Sequence, residues 1–382
     1  MTLTPDEIAR YQRHLSLAGF GPAAQERLKA SSVLVIGAGG LGCPALLYLA
    51  AAGVGRIEIV DDDTVDVSNL QRQVLYTEAD AGQRKAEAAA RRLSGLNRFI
   101  TVVPRAVRLT RRNALELVKG VDVVVDGSDN FGTRYLVNDA CVLAGRPLVY
   151  GAIQGFEGQA SVFNWKGGPT YRCLFAEPPE PGTVPNCADA GVLGVLPGLI
   201  GTVQALEAIK LLTGIGEPLS GRLLLWDALT MATRTVRFSA DPRSREITDL
   251  PPDGYGETCA VEPARAPEEC HLLGDTLVRA LPKEIGVDAF ARIAREEGVQ
   301  VVDVRETWER KLGAIEPSVL VPLSELERGT AEIGALDPAK PTIAYCAAGV
   351  RSLRAAELLR ERHGFQNVMS LRGGIKVWKA RG

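Results

Sequence analysis

Runs of uninterrupted apolar residues alternate with helix-length segments through the first part of the chain. Val33-Leu34-Val35-Ile36 is apolar at every position, the pattern of a strand covered on both faces. A helical segment from Cys43 to Ala52 follows, then a second strand from Arg56 to Val60. The alanine- and arginine-rich stretch from Arg84 to Leu93 reads as a helix. Val121 to Val125 and Pro147 to Tyr150 read as further strands. From Leu199 to Leu212 apolar side chains recur at helical spacing, which predicts a long, largely buried helix. The rhythm from Ser32 to about Gly151 is that of an α/β, Rossmann-like doubly wound sheet.

The pattern breaks near Ala240. Residues 241–280 carry many prolines, charges and turn residues with little periodicity, and most of this stretch reads as linker. Order resumes with a helix from Val287 to Glu297 and a strand from Val299 to Asp303. The expected organisation is a first domain over residues 1–245, a linker over 246–282 and a smaller α/β domain over 283–382. At 382 residues the chain exceeds one ordinary core, and the last segment is long enough to fold alone.

Charge and composition narrow the function classes. Lysine plus arginine number 44 against 46 acidic residues, a net charge of −2, and no single-sign run occurs, so no nucleic-acid partner is expected. The amino terminus is acidic without a signal-peptide core, and the apolar stretch from Gly191 to Val203 is broken by glycine and Pro197. No membrane span is expected, and the expected location is cytoplasmic. Seven irregularly spaced cysteines argue for reduced thiols rather than a disulfide framework.

One of those thiols stands out. Cys346 follows the strand Thr342-Ile343-Ala344-Tyr345 and precedes a helical pattern starting near Ser352, with Arg351 closing the loop. A thiol among backbone N–H groups at a helix N-terminus, beside a guanidinium, is favoured as thiolate and becomes a nucleophile. Four residues separate Cys346 from Arg351. Cysteine phosphatases use five, and the smaller ring suits a sulfane sulfur better than a phosphate. Cys43 and Cys141 fall in expected helices and read as core.

A second site lies near the other end. Gly37-Ala38-Gly39-Gly40-Leu41-Gly42 follows a strand and opens a helix, so that close backbone approach and a helix N-terminus can receive a phosphate. Asp61, Asp62 and Asp63 end the next strand, where an acid can bond a ribose. This much also fits an NAD-dependent oxidoreductase. Ser68, Asn69, Arg72 and Gln73 come directly afterwards, with Lys85 and the pair Asp129-Asn130 further on. Cations that neutralise a triphosphate and a carboxylate that holds Mg²⁺ suit bond breaking at ATP rather than hydride transfer.

At these residues the chain resembles a known family. Residues 1 to about 240 are similar to the E1-type adenylyltransferases of the MoeB/ThiF family, which activate ubiquitin-like sulfur carriers. The match rests on Arg10 to Arg13, Gly37 to Cys43, Asp63 to Val65 with Ser68 to Gln73, Asp129-Asn130, and Gln204 to Lys210. The resemblance implies ATP contacts from Gly40, Asp61, Asn69, Arg72, Lys85 and Asn130, and the expected nucleotide site takes in Gly37, Gly39, Gly42, Asp63, Ser68 and Asp129 as well. It implies ATP as co-substrate, Mg²⁺ on Asp129, and a homodimer in which Arg13 reaches the neighbouring subunit's ATP. Attack by a carrier's C-terminal Gly-Gly carboxylate on the α-phosphate would give an acyl-adenylate and pyrophosphate. Cys187, in a proline- and glycine-rich stretch, would take the carrier as a thioester or an acyl-disulfide.

Residues 283–382 resemble a rhodanese domain through Val302 to Glu306 with Trp308-Glu309, the loop from Cys346 to Ser352, and Leu371 to Ile375 with Trp378. The resemblance implies a persulfide on Cys346, and Asp303 and Arg305 read as structural partners of its loop. Together the two segments imply an adenylyltransferase and sulfurtransferase that leaves a carrier thiocarboxylate. Thiosulfate or a cysteine desulfurase would supply sulfur, and the pathway stays open. The rivals are an NAD-dependent oxidoreductase fused to a sulfurtransferase and a non-catalytic carrier-binding scaffold.

One departure is visible. Many relatives hold a structural zinc through two CxxC pairs, near Tyr171 and near Asp241. Here Thr170-Tyr171-Arg172-Cys173 keeps one cysteine, and residues 241–246 have none. The spacing of Cys173, Cys259, Cys270 and His271 gives no substitute, and no zinc is expected.

Overall fold

The computed structural model describes residues 2–178, 191–251, 255, 283–294 and 298–381. The chain divides into two compact units, residues 1–264 and 265–382. Cys187, Cys259, Cys270 and His271 lie outside the described residues.

The first unit is built on eight strands: β1 (Ser32–Ile36), β2 (Arg56–Val60), β3 (Thr101–Arg105), β4 (Val123–Asp126), β5 (Leu148–Gln154), β6 (Glu157–Phe163), β7 (Arg222–Asp227) and β8 (Thr233–Arg237). Their order is β3-β2-β1-β4-β5-β6-β7-β8. The first five pair in parallel and the last three join by antiparallel pairing. β1 and β2 are buried at all but their first residue, and β4 throughout; β1 is therefore an unbroken apolar run, while β2 buries Glu58 between Arg56 and Arg105 and β4 ends on the buried Asp126.

Two apolar layers sandwich this sheet. One packs Leu46, Leu49 and Ala208 against Val33 and Val35, and the other packs Val118, Val137 and Ala140 against Leu34 and Val124. Cys43 and Cys141 belong to these layers, as expected, and burial pushes the Cys43 thiol up to about 12. The long helix runs from Val195 to Thr213, starting before the expected Leu199. Pro197 does not break it, because a proline in the first turn removes an N–H that has no helical partner. Among the described residues this one helix is long and apolar enough, by length and composition, to cross a membrane. Here it packs against the helix Gly42–Ala52 and β5.

The expected linker begins as part of this unit. Leu250 is buried, and its carbonyl accepts a bond of 2.7 Å from Arg111 Nε. Tyr255 stacks on Tyr135 at 6.2 Å and donates to Asp139. Apolar and aromatic residues spaced among prolines gave no periodicity by which to read this anchoring.

The second unit holds five short parallel strands: β9 (Glu284–Ile285), β10 (Gln300–Asp303), β11 (Val319–Leu320), β12 (Thr342–Tyr345) and β13 (Val368–Leu371). They are ordered β11-β10-β12-β13-β9. β12 is central and fully buried, and Cys346 follows it directly.

Candidate functional site

The first site forms where the strand order reverses. β1 has β2 on one side and β4 on the other, and crossovers leave in opposite directions, so the carboxyl ends open a crevice. Gly37 N–H donates to Val60 O at 2.8 Å, and Gly127 N–H donates to Ile36 O at 2.8 Å, which ties the three strand ends together. Gly37 has φ +84°, and a Cβ there would stand 2.9 Å from Gly127 O. A Cβ on Gly42 would stand 1.9 Å from Gly37 O, so only glycine lets the helix Gly42–Ala52 start against the loop.

The resulting cleft has a volume of about 420 Å³. Gly37, Gly39 and Gly40 line it, with Asp61, Asp63, Arg72, Lys85, Asp129 and Asn130 around them. Asp61 braces the loop: Oδ2 accepts from Ala38 N–H at 2.7 Å and Oδ1 from Asp63 N–H at 2.8 Å. Burial pushes its carboxyl up, against the pull of these N–H groups and of Lys85. Lys85 is buried and pairs at 2.9 Å with the exposed Asp63. Asn130 caps the helix Phe131–Ala144, its Oδ1 accepting from Thr133 N–H at 2.8 Å. What it presents to the cleft is therefore its amide N–H₂.

Four expected residues stand apart from the cleft wall. Gly42 is buried in the first turn of its helix. Ser68 and Asn69 lie on a short 3₁₀ turn behind Arg72, where Asn69 Oδ1 accepts from Gln73 at 3.2 Å and Ser68 O from Arg72 at 3.4 Å. They shape the turn that presents Arg72. Arg13 is exposed on the helix Pro5–Leu15, away from its own chain's cleft.

Sequence reasoning missed two groups here. Arg134 lines the cleft and donates to Ser128 O at 3.3 Å. Asp126 is fully buried at the end of β4, and Oδ1 accepts from Ser128 N–H at 2.9 Å. Burial pushes its carboxyl up, and the Arg134 guanidinium opposes that. The signal available was a carboxylate closing an apolar run, followed by an arginine one turn into the next helix.

The second site surrounds Cys346, which is 1% exposed. Gly349 N–H donates to its sulfur at 3.0 Å, and the Ser352 hydroxyl lies 3.6 Å away. Ser352 is itself held by Gly349 O at 2.9 Å and Ser370 Oγ at 2.8 Å. The helix Val350–His363 points its N-terminus at this loop. Beneath it, Arg305 and Asp303 form a buried pair at 2.7 Å, and Tyr345, directly before the cysteine, donates to Asp303 at 2.8 Å.

Arg351 closes the loop by a route the spacing did not show. Its two terminal nitrogens each donate to an oxygen of Glu309 at 2.7 Å. Burial raises the Glu309 carboxyl, but the Arg351 bonds, the Glu306 N–H and nearby charge outweigh it and hold the group below its ordinary value. The sequence carried Glu309 within the rhodanese resemblance without giving it a role.

A glycine loop at a switch point ringed by cations, joined in one chain to a cysteine cradled at a strand end, defines a nucleotide-activating enzyme combined with a sulfurtransferase. The ThiF family model matches residues 11–246 and the rhodanese-like domain model residues 287–381. The chain belongs to the ThiF family, in the form that carries a rhodanese-like domain. It is 45% identical over 383 residues to the probable adenylyltransferase/sulfurtransferase MoeZ of Mycobacterium tuberculosis, covering 98% of this chain and 94% of that one. It is 54% identical over 256 residues to the sulfur carrier protein adenylyltransferase of Thermus thermophilus, covering 66% of this chain and 94% of that one. Among solved structures, E. coli MccB shares the fold with a TM-score of 0.56 at 24% identity, over 62% of this chain and 73% of that one.

The expected fold class and the expected enzyme class, adenylyltransferase and sulfurtransferase, are those of the family. ATP is the co-substrate of that class. The oxidoreductase and scaffold readings fall away.

Proposed function

We propose that the chain adenylates the C-terminal Gly-Gly of a ubiquitin-like sulfur carrier protein and converts it to a thiocarboxylate with sulfur carried on Cys346. The observation that carries this reading is the convergence of the glycine loop, Arg72, Lys85 and Asp129 on one cleft. A named relative, the Thermus enzyme, acts on a sulfur carrier protein, which supports the choice of substrate.

The loop Gly37–Gly40 and the helix N-terminus behind it receive the triphosphate through backbone N–H groups. Arg72 and Lys85 face the charge that develops as pyrophosphate leaves, and the Asn130 amide donates to the nucleotide. The oxygen donors of the cleft suit a hard cation: Asp129 would hold Mg²⁺, which neutralises charge on the departing pyrophosphate. The carrier carboxylate attacks the α-phosphorus, and its oxygen stays on the acyl-adenylate. The terminal sulfur of a Cys346 persulfide then replaces AMP at the acyl carbon, which leaves the carrier on Cys346 as an acyl-disulfide. Attack of a second thiol on the Cys346 sulfur breaks that S–S bond, releases the carrier thiocarboxylate and leaves a disulfide that a cellular dithiol reduces. Cys187 takes part in the handover by accepting the carrier as a thioester or an acyl-disulfide. Joining both activities in one chain gives an effective persulfide concentration of roughly millimolar for sites the linker spans.

The exposed Arg13 is assigned to the ATP of a neighbouring subunit in a homodimer. The sulfur donor is thiosulfate or a cysteine desulfurase, and the cytoplasm is the expected compartment.

The test incubates candidate carriers with ATP, Mg²⁺ and thiosulfate and weighs the product by mass spectrometry. Replacement of one carrier oxygen by sulfur supports the reading. Cys346→Ala is expected to keep carrier-dependent pyrophosphate exchange and lose that product, and Arg72→Ala to lose both. Thiocarboxylate formed at the normal rate by Cys346→Ala would overturn the mechanism.

A further inference from the structure

Two short 3₁₀ turns in the first unit, far apart in sequence, face each other. One is Tyr171–Cys173, preceded by Thr170, and the other is Pro242–Arg245, preceded by Asp241. Positions 170 and 173, and positions 241 and 244, share the three-residue step of a C-x₂-C pair, and two such pairs facing each other make a tetrahedral zinc cage. The side chains that converge here do not fit that metal. Cys173 is the single sulfur, and Thr170 and Ser244 offer neutral hydroxyls, which are not the thiolate, imidazole or carboxylate donors zinc takes. Asp241 is the one carboxylate, and both its oxygens are engaged by Arg243, the closest bond at 2.8 Å.

The place of a metal is taken by hydrogen bonds to sulfur. Cys173 Sγ accepts from Thr170 N–H at 3.3 Å and from Asp241 N–H at 3.3 Å. It lies 3.1 Å from Ser244 Oγ and 3.7 Å from Thr170 Oγ1. Ser244 donates its one hydroxyl proton to Asp241 O at 2.7 Å, which closes its own turn and leaves Oγ to accept from the Cys173 thiol. Arg245 then reaches back to Asn164 Oδ1 at 2.8 Å and to Gly168 O. Thr170 is fully buried and Ser244 nearly so, so these bonds are shielded from competing water.

We propose that these four positions form a metal-free clasp, in which the Cys173 sulfur is the common acceptor that ties the turn after β6 to the turn after β8, on a backbone that still has the form of a zinc cage. The clasp holds the segment following β8 against the first unit, where the family's metal would otherwise hold it. It is independent of the function proposed above.

The test uses the full chain and three variants, with metal analysis and calorimetry in the presence and absence of a zinc chelator. The wild-type protein is expected to carry no zinc and to melt at the same temperature with and without chelator. Cys173→Ala removes the shared acceptor and is expected to lower the first unit's transition by about 2–4 °C. Ser244→Ala, which leaves the two backbone bonds, is expected to lower it less. The triple variant T170C/D241C/S244C is expected to take up one zinc per chain and to melt in a chelator-dependent way. Zinc in the wild-type protein, or an unshifted melt of Cys173→Ala, overturns the clasp. A folded triple variant without zinc overturns the retained cage. The wild-type and Cys173→Ala measurements decide the matter if the triple variant does not fold.

Discussion

Glu309→Gln is the sharpest probe of the Cys346 loop, because it removes a charge while keeping shape and an acceptor oxygen. The Arg351–Glu309 pair makes two bonds of 2.7 Å, with side chains 22% and 11% exposed. Fully exposed pairs contribute at most about 1 kcal/mol, and breaking a fully buried one costs about 3–5 kcal/mol. This pair lies between those limits, so the loss is taken as about 2 kcal/mol. In a unit of this size each kcal/mol moves the melt by roughly 4–8 °C, which predicts a fall of about 8–16 °C for the second unit's transition. The first unit's transition should not move.

Acid adds a second signature. A carboxylate whose folded value is depressed contributes stability that is fully present above its unfolded value, here 4.5, and is lost as the pH falls through the folded value. The gap between wild type and Glu309→Gln should therefore stay constant from neutral pH to near 4.5 and close below it. Thiosulfate-to-cyanide sulfur transfer should fall by about 10–100-fold as Arg351 loses its anchor, with ATP–pyrophosphate exchange unchanged. A variant that melts with the wild type at neutral pH, or whose exchange activity falls in step with sulfur transfer, refutes this account of the loop.

Other perturbations follow from the cleft. Gly42→Ala places a Cβ 1.9 Å from a backbone oxygen, so the helix must shift; a loss of about 1–3 kcal/mol and a fall in pyrophosphate exchange of about tenfold or more are expected. Gly95→Ala in the helix Lys85–Leu96, where a Cβ meets nothing within 4 Å, should instead stabilise by about 0.5–1 kcal/mol, measured by chemical denaturation. Lys85→Met keeps the buried stem and removes the charge. Its partner Asp63 is 69% exposed, so the melt should move by only a few degrees while exchange falls about 100-fold. An unfolded Lys85→Met protein would mean that the lysine serves structure rather than the nucleotide.

How much of this was legible follows from where burial is two-sided. β2 and β12 were read to the residue, and β1, β4 and β5 within a few residues, because central parallel strands are mostly apolar. β3 and β8 were not read, nor were β6, β7, β9, β11 and β13. β3 is mostly exposed and contains Pro104, and Thr233–Arg237 is exposed at all five positions, so neither edge strand carries an apolar signature. The glycine loop and Cys346 were legible because glycine and cysteine at a strand-to-helix junction are chemically specific. Glu309 was not, since its partner is 42 residues away and only the fold brings them together. The Cys173 clasp hid for the same reason: Ser244 is 71 residues on and looks like any turn serine.

The two sites also differ in how they handle charge, and the difference matches what each is proposed to hold. Around the glycine loop, Arg72 lies in the cleft wall and Lys85 pairs with the exposed carboxylate of Asp63, so both cations border the space a polyphosphate would fill. At Cys346 the corresponding cation is bound on two oxygens by Glu309, and the intervening loop residues Ala347, Ala348, Gly349 and Val350 carry no charge. A ring built for phosphate would keep its guanidinium for the ligand. One that spends it on a carboxylate and offers the sulfur a Gly349 N–H and a serine hydroxyl is matched to a single, weakly hydrated sulfur. Loop length had argued the same point from spacing alone, and the ion pair supplies the reason: the arginine fixes the loop's shape, and the glycine and serine meet the sulfur.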